Sequence, residues 1–314
     1  MQAPSHNRSP LEEMEAVLDS RKMVAFIGSG ASCGVYENWN ELVRKIYEQC
    51  VGENTLKWKE MAGDALMDAA EKAKICNSHL YYRAVGDVFK KKSISRNIYR
   101  CLAKSPFRNY ITTNFDSLLA DELVQLPENS NNEIVFHYPG VMGIALHRPK
   151  TVVHVHGYIK PGVSPTEEMP IVLARSEFNE AYSAGSLLPD FLRQLFREYP
   201  VCFIGCSIQD MFLKNILDQV KSIRQNLERA RHQVLPPLFI LLEKAVEPQK
   251  QIQEADVANV RSEAAETQYY EEMGIRVVRF SREPEFLGLD NLLRKWAKLK
   301  EPKIFAPQWD GSES

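Results

Sequence analysis

Met23-Val24-Ala25-Phe26-Ile27 is an unbroken apolar run that stops at Gly28-Ser29-Gly30. A strand with one wet face alternates apolar and polar residues, whereas a run without alternation is covered on both faces. The stretch therefore reads as a buried parallel strand entering a glycine loop. Just upstream, Ser9-Pro10-Leu11-Glu12 places Ser at an N-cap, Pro at the first helical position and Glu where it closes a capping box. Leu11, Met14, Val17 and Leu18 then recur at helical spacing. Just downstream, Asn38-Trp39-Asn40-Glu41 is a second capped helix start, with Leu42, Val43 and Ile46 on its inner face.

Further strands are expected at Asn109-Tyr110-Ile111-Thr112 and from Lys150 through His154, Val155 and His156 to Gly157. Others are expected at Ile171-Val172-Leu173, at Val201-Cys202-Phe203-Ile204 before Gly205, at Leu238-Phe239-Ile240-Leu241-Leu242, and from Ile275 to Phe280. Helical patterns separate them: Phe212, Ile216, Val220, Ile223 and Leu227 form one stripe, and residues 257–273 end at the C-cap glycine Gly274. Strands alternating with helices imply βαβ units, hence a Rossmann-like α/β fold with a mainly parallel sheet and helices on both faces. Residues 50–104 carry helical spacing and no strand pattern. The expected organisation is thus an α/β domain from residues 10–49 and 105–300, a helical insertion over 50–104, and a loose tail over 301–314.

The chain has 314 residues, 39 Lys+Arg against 41 Asp+Glu, 44% hydrophobic and 25% charged residues. This is average globular composition and excludes a fibrous, coiled-coil or wholly disordered chain. Near-neutral charge gives no overall attraction to nucleic acid or to an acidic membrane surface, so no sequence-specific nucleic-acid binding is expected. The run Lys90-Lys91-Lys92 with Arg96 and Arg100 reads as a solvated helix face rather than a phosphate site. Residues 1–9 are polar and carry no secretory pattern, and no apolar run is long enough to span a membrane. Cys33, Cys50, Cys76, Cys101, Cys202 and Cys206 include no CxxC pair, which argues against both a zinc ribbon and a disulfide framework. A cytoplasmic protein is expected.

In open α/β sheets ligands bind beyond the carboxyl ends of the strands, and four expected strand ends carry notable residues. Gly28-Ser29-Gly30-Ala31-Ser32 follows the first strand; a GxG loop suits close approach to a pyrophosphate, or simply a tight turn. Thr112-Thr113-Asn114-Phe115-Asp116 follows the next, where the same residue types also serve as helix caps. His154-Val155-His156-Gly157 offers two histidines at strand spacing, able to chelate a metal together if on one face, and a strand-terminal His156 placed as a general base. Gly205-Cys206-Ser207-Ile208-Gln209-Asp210 is a further strand-end turn, with Asp210 opening a long helix.

As an ordered set, these motifs resemble the sirtuin-type NAD-binding domain: a GAGxS-like loop, a TQN-like loop with Thr113 in place of glutamine, an HG pair and a GxS turn. The resemblance runs from about Met23 to Phe280. It departs from the protein deacylases in lacking their cysteine quartet and in reading Tyr36-Glu37-Asn38-Trp39 where they have a proline-aspartate-phenylalanine-arginine box. It is closer to the sirtuin-like branch of bacterial antiphage defence, in which a helical insertion stands where the zinc ribbon would be. The resemblance implies NAD as substrate, no zinc, and hydrolysis of the nicotinamide–ribose bond. It assigns catalysis to Asn114 and His156, the pyrophosphate to Gly28, Ser29, Gly30, Ala31 and Ser32, the nicotinamide side to Asp116, the adenosine side to Gly205 and Ser207, and a further cofactor contact to Thr113. His154 has no matched role and is expected to be structural. An NAD-depleting effector would have to be held inactive, which implies a homo-oligomer or a separately encoded sensor or ATPase partner. The alternatives are a zinc-free deacylase or ADP-ribosyl transferase, and a non-catalytic module that binds NAD or ADP-ribose.

Overall fold

The computed structural model describes residues 8–32, 35–52, 56–89, 97–130, 132–160, 163, 165–166, 170–208, 211–230, 234–244, 263–281 and 287–298. Seven parallel strands form one sheet: β1 (Val24–Ile27), β2 (Tyr110–Thr112), β3 (Val135–His137), β4 (Val152–His154), β5 (Val201–Ile204), β6 (Leu238–Glu243) and β7 (Ile275–Phe280), in the order β3-β4-β2-β1-β5-β6-β7. The apolar run at 24–27 is the central strand. Phe26 is in register with Ile111 of β2 on one side and with Phe203 of β5 on the other. From β1 the chain first builds outward through β2, then returns to build the other half from β5, so the carboxyl ends of β1 and β5 are where the winding reverses.

Helices cover both faces. Val24 and Phe26 point to a core completed by α7 (Arg175–Ala181), α8 (Leu187–Glu198), α9 (Met211–Arg229) and α10 (Glu263–Glu272). Ala25 and Ile27 point to the opposite core with α1 (Pro10–Asp19), α5 (Asn97–Lys104), α6 (Leu118–Val124) and α11 (Leu287–Trp296). The expected capping box starts α1: the Ser9 amide donates to Glu12 Oε2 at 2.8 Å while Ser9 Oγ accepts from the Glu12 amide at 3.3 Å. Asn38 caps α2 (Trp39–Val51) by accepting from the Glu41 amide at 2.9 Å.

A third apolar cluster joins α2, α3 (Asp64–Cys76) and α4 (Ser78–Val88) to Phe115, Ile159, Ile171 and Leu173, residues that follow strand ends. This helical layer therefore sits at the carboxyl end of the sheet. Within residues 50–104 the helices divide: α3 and α4 belong to this layer, while Tyr99 and Leu102 of α5 pack in the core under β1 and β2.

Three sequence expectations are corrected. Ile171-Val172-Leu173 is no strand, because both edges of β4 are already taken by β2 and β3; the Val172 amide donates to the His156 carbonyl at 2.8 Å and the ladder goes no further. β3, unannounced by its short half-buried sequence, is the real neighbour of β4. β4 itself ends at His154, so His156 lies in the turn beyond it. The Lys90–Lys92 run, Cys33, Asp210, residues 257–262 of the expected helix and the 301–314 tail lie outside the described residues. Among the described residues no helix is long and apolar enough to cross a membrane.

Candidate functional site

Gly28 and Gly205 bring two strand-end loops into backbone contact. The Gly28 amide donates to the Ile204 carbonyl and the Gly30 amide to the Gly205 carbonyl, each at 3.0 Å. A Cβ on Gly28 would stand 2.5 Å from the Gly205 oxygen; one on Gly205, whose φ is +65°, would stand 2.5 Å from the Ala31 nitrogen. Neither position accepts a side chain without moving backbone. The glycines thus let two loops interlock, and the amides of Gly28, Gly30 and Ala31 are used within that interlock. A single 3-10 turn, Ser29–Ser32, follows β1 and the first helix after it starts only at Trp39. No long helix dipole therefore acts on this loop.

Ser32 is the node of the adjoining network. Its hydroxyl donates to Asp116 Oδ2 at 3.0 Å and meets Tyr99 OH at 2.6 Å and Asn114 Nδ2 at 2.9 Å. One proton and two lone pairs are the full capacity of a serine hydroxyl, so Tyr99 and Asn114 donate and Ser32 is saturated. Asn114 Nδ2 also donates to the Gly28 carbonyl at 3.2 Å. Both donor directions of the amide are spent on the frame, and Asn114 Oδ1 is left as the acceptor turned to the cleft. Asp116 Oδ1 accepts from the Leu118 amide at 3.0 Å. Burial raises the Asp116 carboxyl to about 6, against the lowering effect of its hydrogen bonds.

The two histidines separate instead of converging. His154 is buried and its Nδ1 donates to the Asn114 carbonyl at 2.8 Å, while its Nε2 has no partner. Burial lowers it to about 4, which keeps it neutral. His156 Nε2 faces Tyr182 OH at 3.0 Å, and burial lowers its ring to about 3. Among the described residues no group of three or more His, Cys, Asp or Glu is placed to hold a metal.

These loops surround a cleft of about 930 Å³, its open mouth included. Gly28, Ser29, Ser32, Thr113, Asn114, Asp116, His156, Gly205 and Ser207 all line it, whereas Gly30, Ala31 and His154 do not. Phe26, Trp39, Leu42, Phe178 and Leu213 contribute an apolar part of the lining. Cys206 also lines the cleft, but burial pushes its thiol up to about 12, so it carries no nucleophilic thiolate. Sequence reasoning did not find Tyr99, Phe178 or Tyr182. No spacing relates Tyr99 to Ser32, 67 residues away, or Tyr182 to His156, 26 residues away, until the chain folds.

A doubly wound parallel sheet with a polar and aromatic cleft at the point where its winding reverses is the architecture of a nucleotide-binding α/β protein. Residues 108–278, more than half of the chain, match the SIR2-like domain model, and the chain belongs to that family. The matched span contains Asn114, Asp116, His156, Gly205 and Ser207; the 28–32 loop precedes it and joins them through space. The SIR2-like domain makes the function NAD-related and the protein akin to NAD-utilising enzymes. No curated protein matches the chain.

Proposed function

We propose that the protein is an NAD glycohydrolase, which releases nicotinamide and ADP-ribose from NAD and water. The carrying observation is the pairing in one cleft of Asn114, whose amide is fixed through Nδ2 with Oδ1 open, and of the neutral His156. Cleaving the bond sends its electron pair to the ring nitrogen of nicotinamide, which leaves neutral and needs no acid. A water held by Asn114 Oδ1 forms the new bond to C1 of the ribose, and His156 takes the proton that this water loses. In this reading Asp116 serves the nicotinamide side, Gly205 and Ser207 the adenosine side, and Thr113 is a further contact to NAD. Ser29 and Ser32 stand where the pyrophosphate would pass, shaped by the glycine interlock. The apolar wall at Trp39 and Phe178 suits a flat aromatic ring.

An enzyme of this kind, always active, would empty its host of NAD. We infer that it is the NAD-depleting effector of an antiphage system, held inactive until triggered, as a homo-oligomer or by a separately encoded sensor or ATPase. Purified protein is incubated with NAD, with and without the product of the neighbouring gene, and nicotinamide is quantified. Release is expected, and Asn114→Ala or His156→Ala each abolishes it in a protein that still melts cooperatively. Acetyl-ADP-ribose formed from an acetyl-lysine peptide would instead make the protein a deacylase, and tight NAD binding without turnover under every condition would make it a binding module. His154→Ala is not a neutral control for these variants, because His154 Nδ1 donates to the Asn114 carbonyl.

A further inference from the structure

Phe178 and Tyr182 are four residues apart at the end of α7, so their rings share one face of the helix. That face is turned to His156. The Phe178 ring stands edge-on to the imidazole at 5.1 Å, the Tyr182 ring at 6.1 Å, and the two rings stack on each other at 15°. Phe212 of α9 closes the stack behind them, 5.6 Å from Phe178 and 5.0 Å from Tyr182. The imidazole is therefore held in orientation by aromatic walls, and the Tyr182 hydroxyl meets its Nε2 at 3.0 Å. Tyr182 does not line the cleft, although His156 does. His156 Nδ1 makes no hydrogen bond among the described residues, and unlike His154 Nε2 it is not sealed from the cleft.

A neutral imidazole carries one proton on one nitrogen, and the partner of one nitrogen decides the state of the other. We propose that Tyr182 is the positioning residue of His156: its oxygen accepts the Nε2 proton and thereby leaves Nδ1 as the lone pair that faces the ribose end of the substrate. This rests on the reading of His156 as the base. Phenol and imidazole form a pair in which the outer nitrogen is spent on orientation and the inner one on chemistry. The burial that keeps the ring neutral ensures that there is one proton to place.

The test separates this assignment from the proposed activity. In protein labelled with 15N-histidine, the resonances of His156 are identified by their loss in His156→Gln. The expected state is protonated Nε2 and bare Nδ1; protonation on Nδ1 would overturn the proposal, and this measurement needs no turnover. In Tyr182→Phe, which keeps the ring stack, the two tautomers are expected to mix. With NAD, kcat for nicotinamide release is expected to fall about 10- to 100-fold, with KM changed less than about threefold. A Tyr182→Phe protein with unaltered tautomer and unaltered kcat would also overturn the assignment. If the wild-type protein releases no nicotinamide under any condition, the proposed activity fails while the tautomer still decides the role of Tyr182; if Tyr182→Phe does not fold, the wild-type spectrum decides alone.

Discussion

Asp116 shows how a single buried side chain fixes its neighbours at a cost to itself. Its carboxylate accepts a hydrogen bond from the Ser32 hydroxyl, and that donation is what frees both Ser32 lone pairs for Tyr99 and Asn114. Burial raises the group from 3.8 to about 6. Its folded pKa thus lies above the unfolded one, so the folded state binds the extra proton between those values and stability falls as pH rises from about 4 to about 6. Asp116→Asn removes this ionisation. Chemical denaturation of both proteins at a series of pH values is expected to show the variant gaining on wild type across that window by as much as ~3 kcal/mol, about 1.4 kcal/mol for each pKa unit. The difference is then constant above pH 7. A difference independent of pH from 4 to 7 would contradict the assignment. Tyr99, the other donor to Ser32, was invisible in the sequence because nothing local distinguishes it from any other buried aromatic residue of the core.

At the scale of elements, α7 joins the helical layer to the cleft. Glu177, in its first turn and 8% exposed, accepts from Lys74 Nζ at 2.9 Å, Tyr82 OH at 3.1 Å and Tyr81 OH at 3.2 Å on α3 and α4. It also accepts from the amides of Leu173 and Ala174 at 2.9 and 2.7 Å. One carboxylate thus ties the helical layer, the 171–174 loop and the start of α7, while Phe178 and Tyr182 at the other end hold His156. Glu177→Ala leaves Lys74 and two tyrosine hydroxyls without their acceptor. It is expected to cost about 3 kcal/mol in thermal unfolding and to raise KM for NAD. Glu177→Gln, which keeps acceptor oxygen, is expected to cost less. Elements were legible in the sequence where local pattern and burial agree. β1 and β5 are unbroken apolar runs ending in glycine, and α1 and α2 announce themselves by their caps. β3 escaped because three half-exposed residues carry no pattern. Residues 171–173 read as a strand because apolar residues buried between layers carry the same pattern, but β4, which they follow, has both edges taken by β2 and β3.

Across the whole molecule, the cleft draws on residues from Phe26 to Leu213, so its integrity reports on the sheet as a unit. The four strand-end motifs were legible because parallel topology forces every carboxyl end to one side. Which atoms remain open was not, since that depends on bonds between loops distant in sequence. NAD binding only the folded state is expected to raise stability by about 2.7 kcal/mol at a hundredfold excess over Kd, a rise in melting temperature of about 5 °C. Gly205→Ala, which drives a Cβ into the 28–32 loop, is expected to lower the melting temperature without ligand and to abolish the NAD-dependent rise. An undiminished rise would show that the interlock is not part of the binding surface. The same interlock has a bearing on synthesis. The loop after β1 leaves the ribosome early, but its partner carbonyls at Ile204 and Gly205 are translated much later; at roughly 5–20 residues per second the wait is on the order of ten seconds or more. A nascent or prematurely terminated chain that stops short of Gly205 has the first half of the sheet and no completed cleft, so translation itself delays the moment at which the polypeptide can first engage a nucleotide.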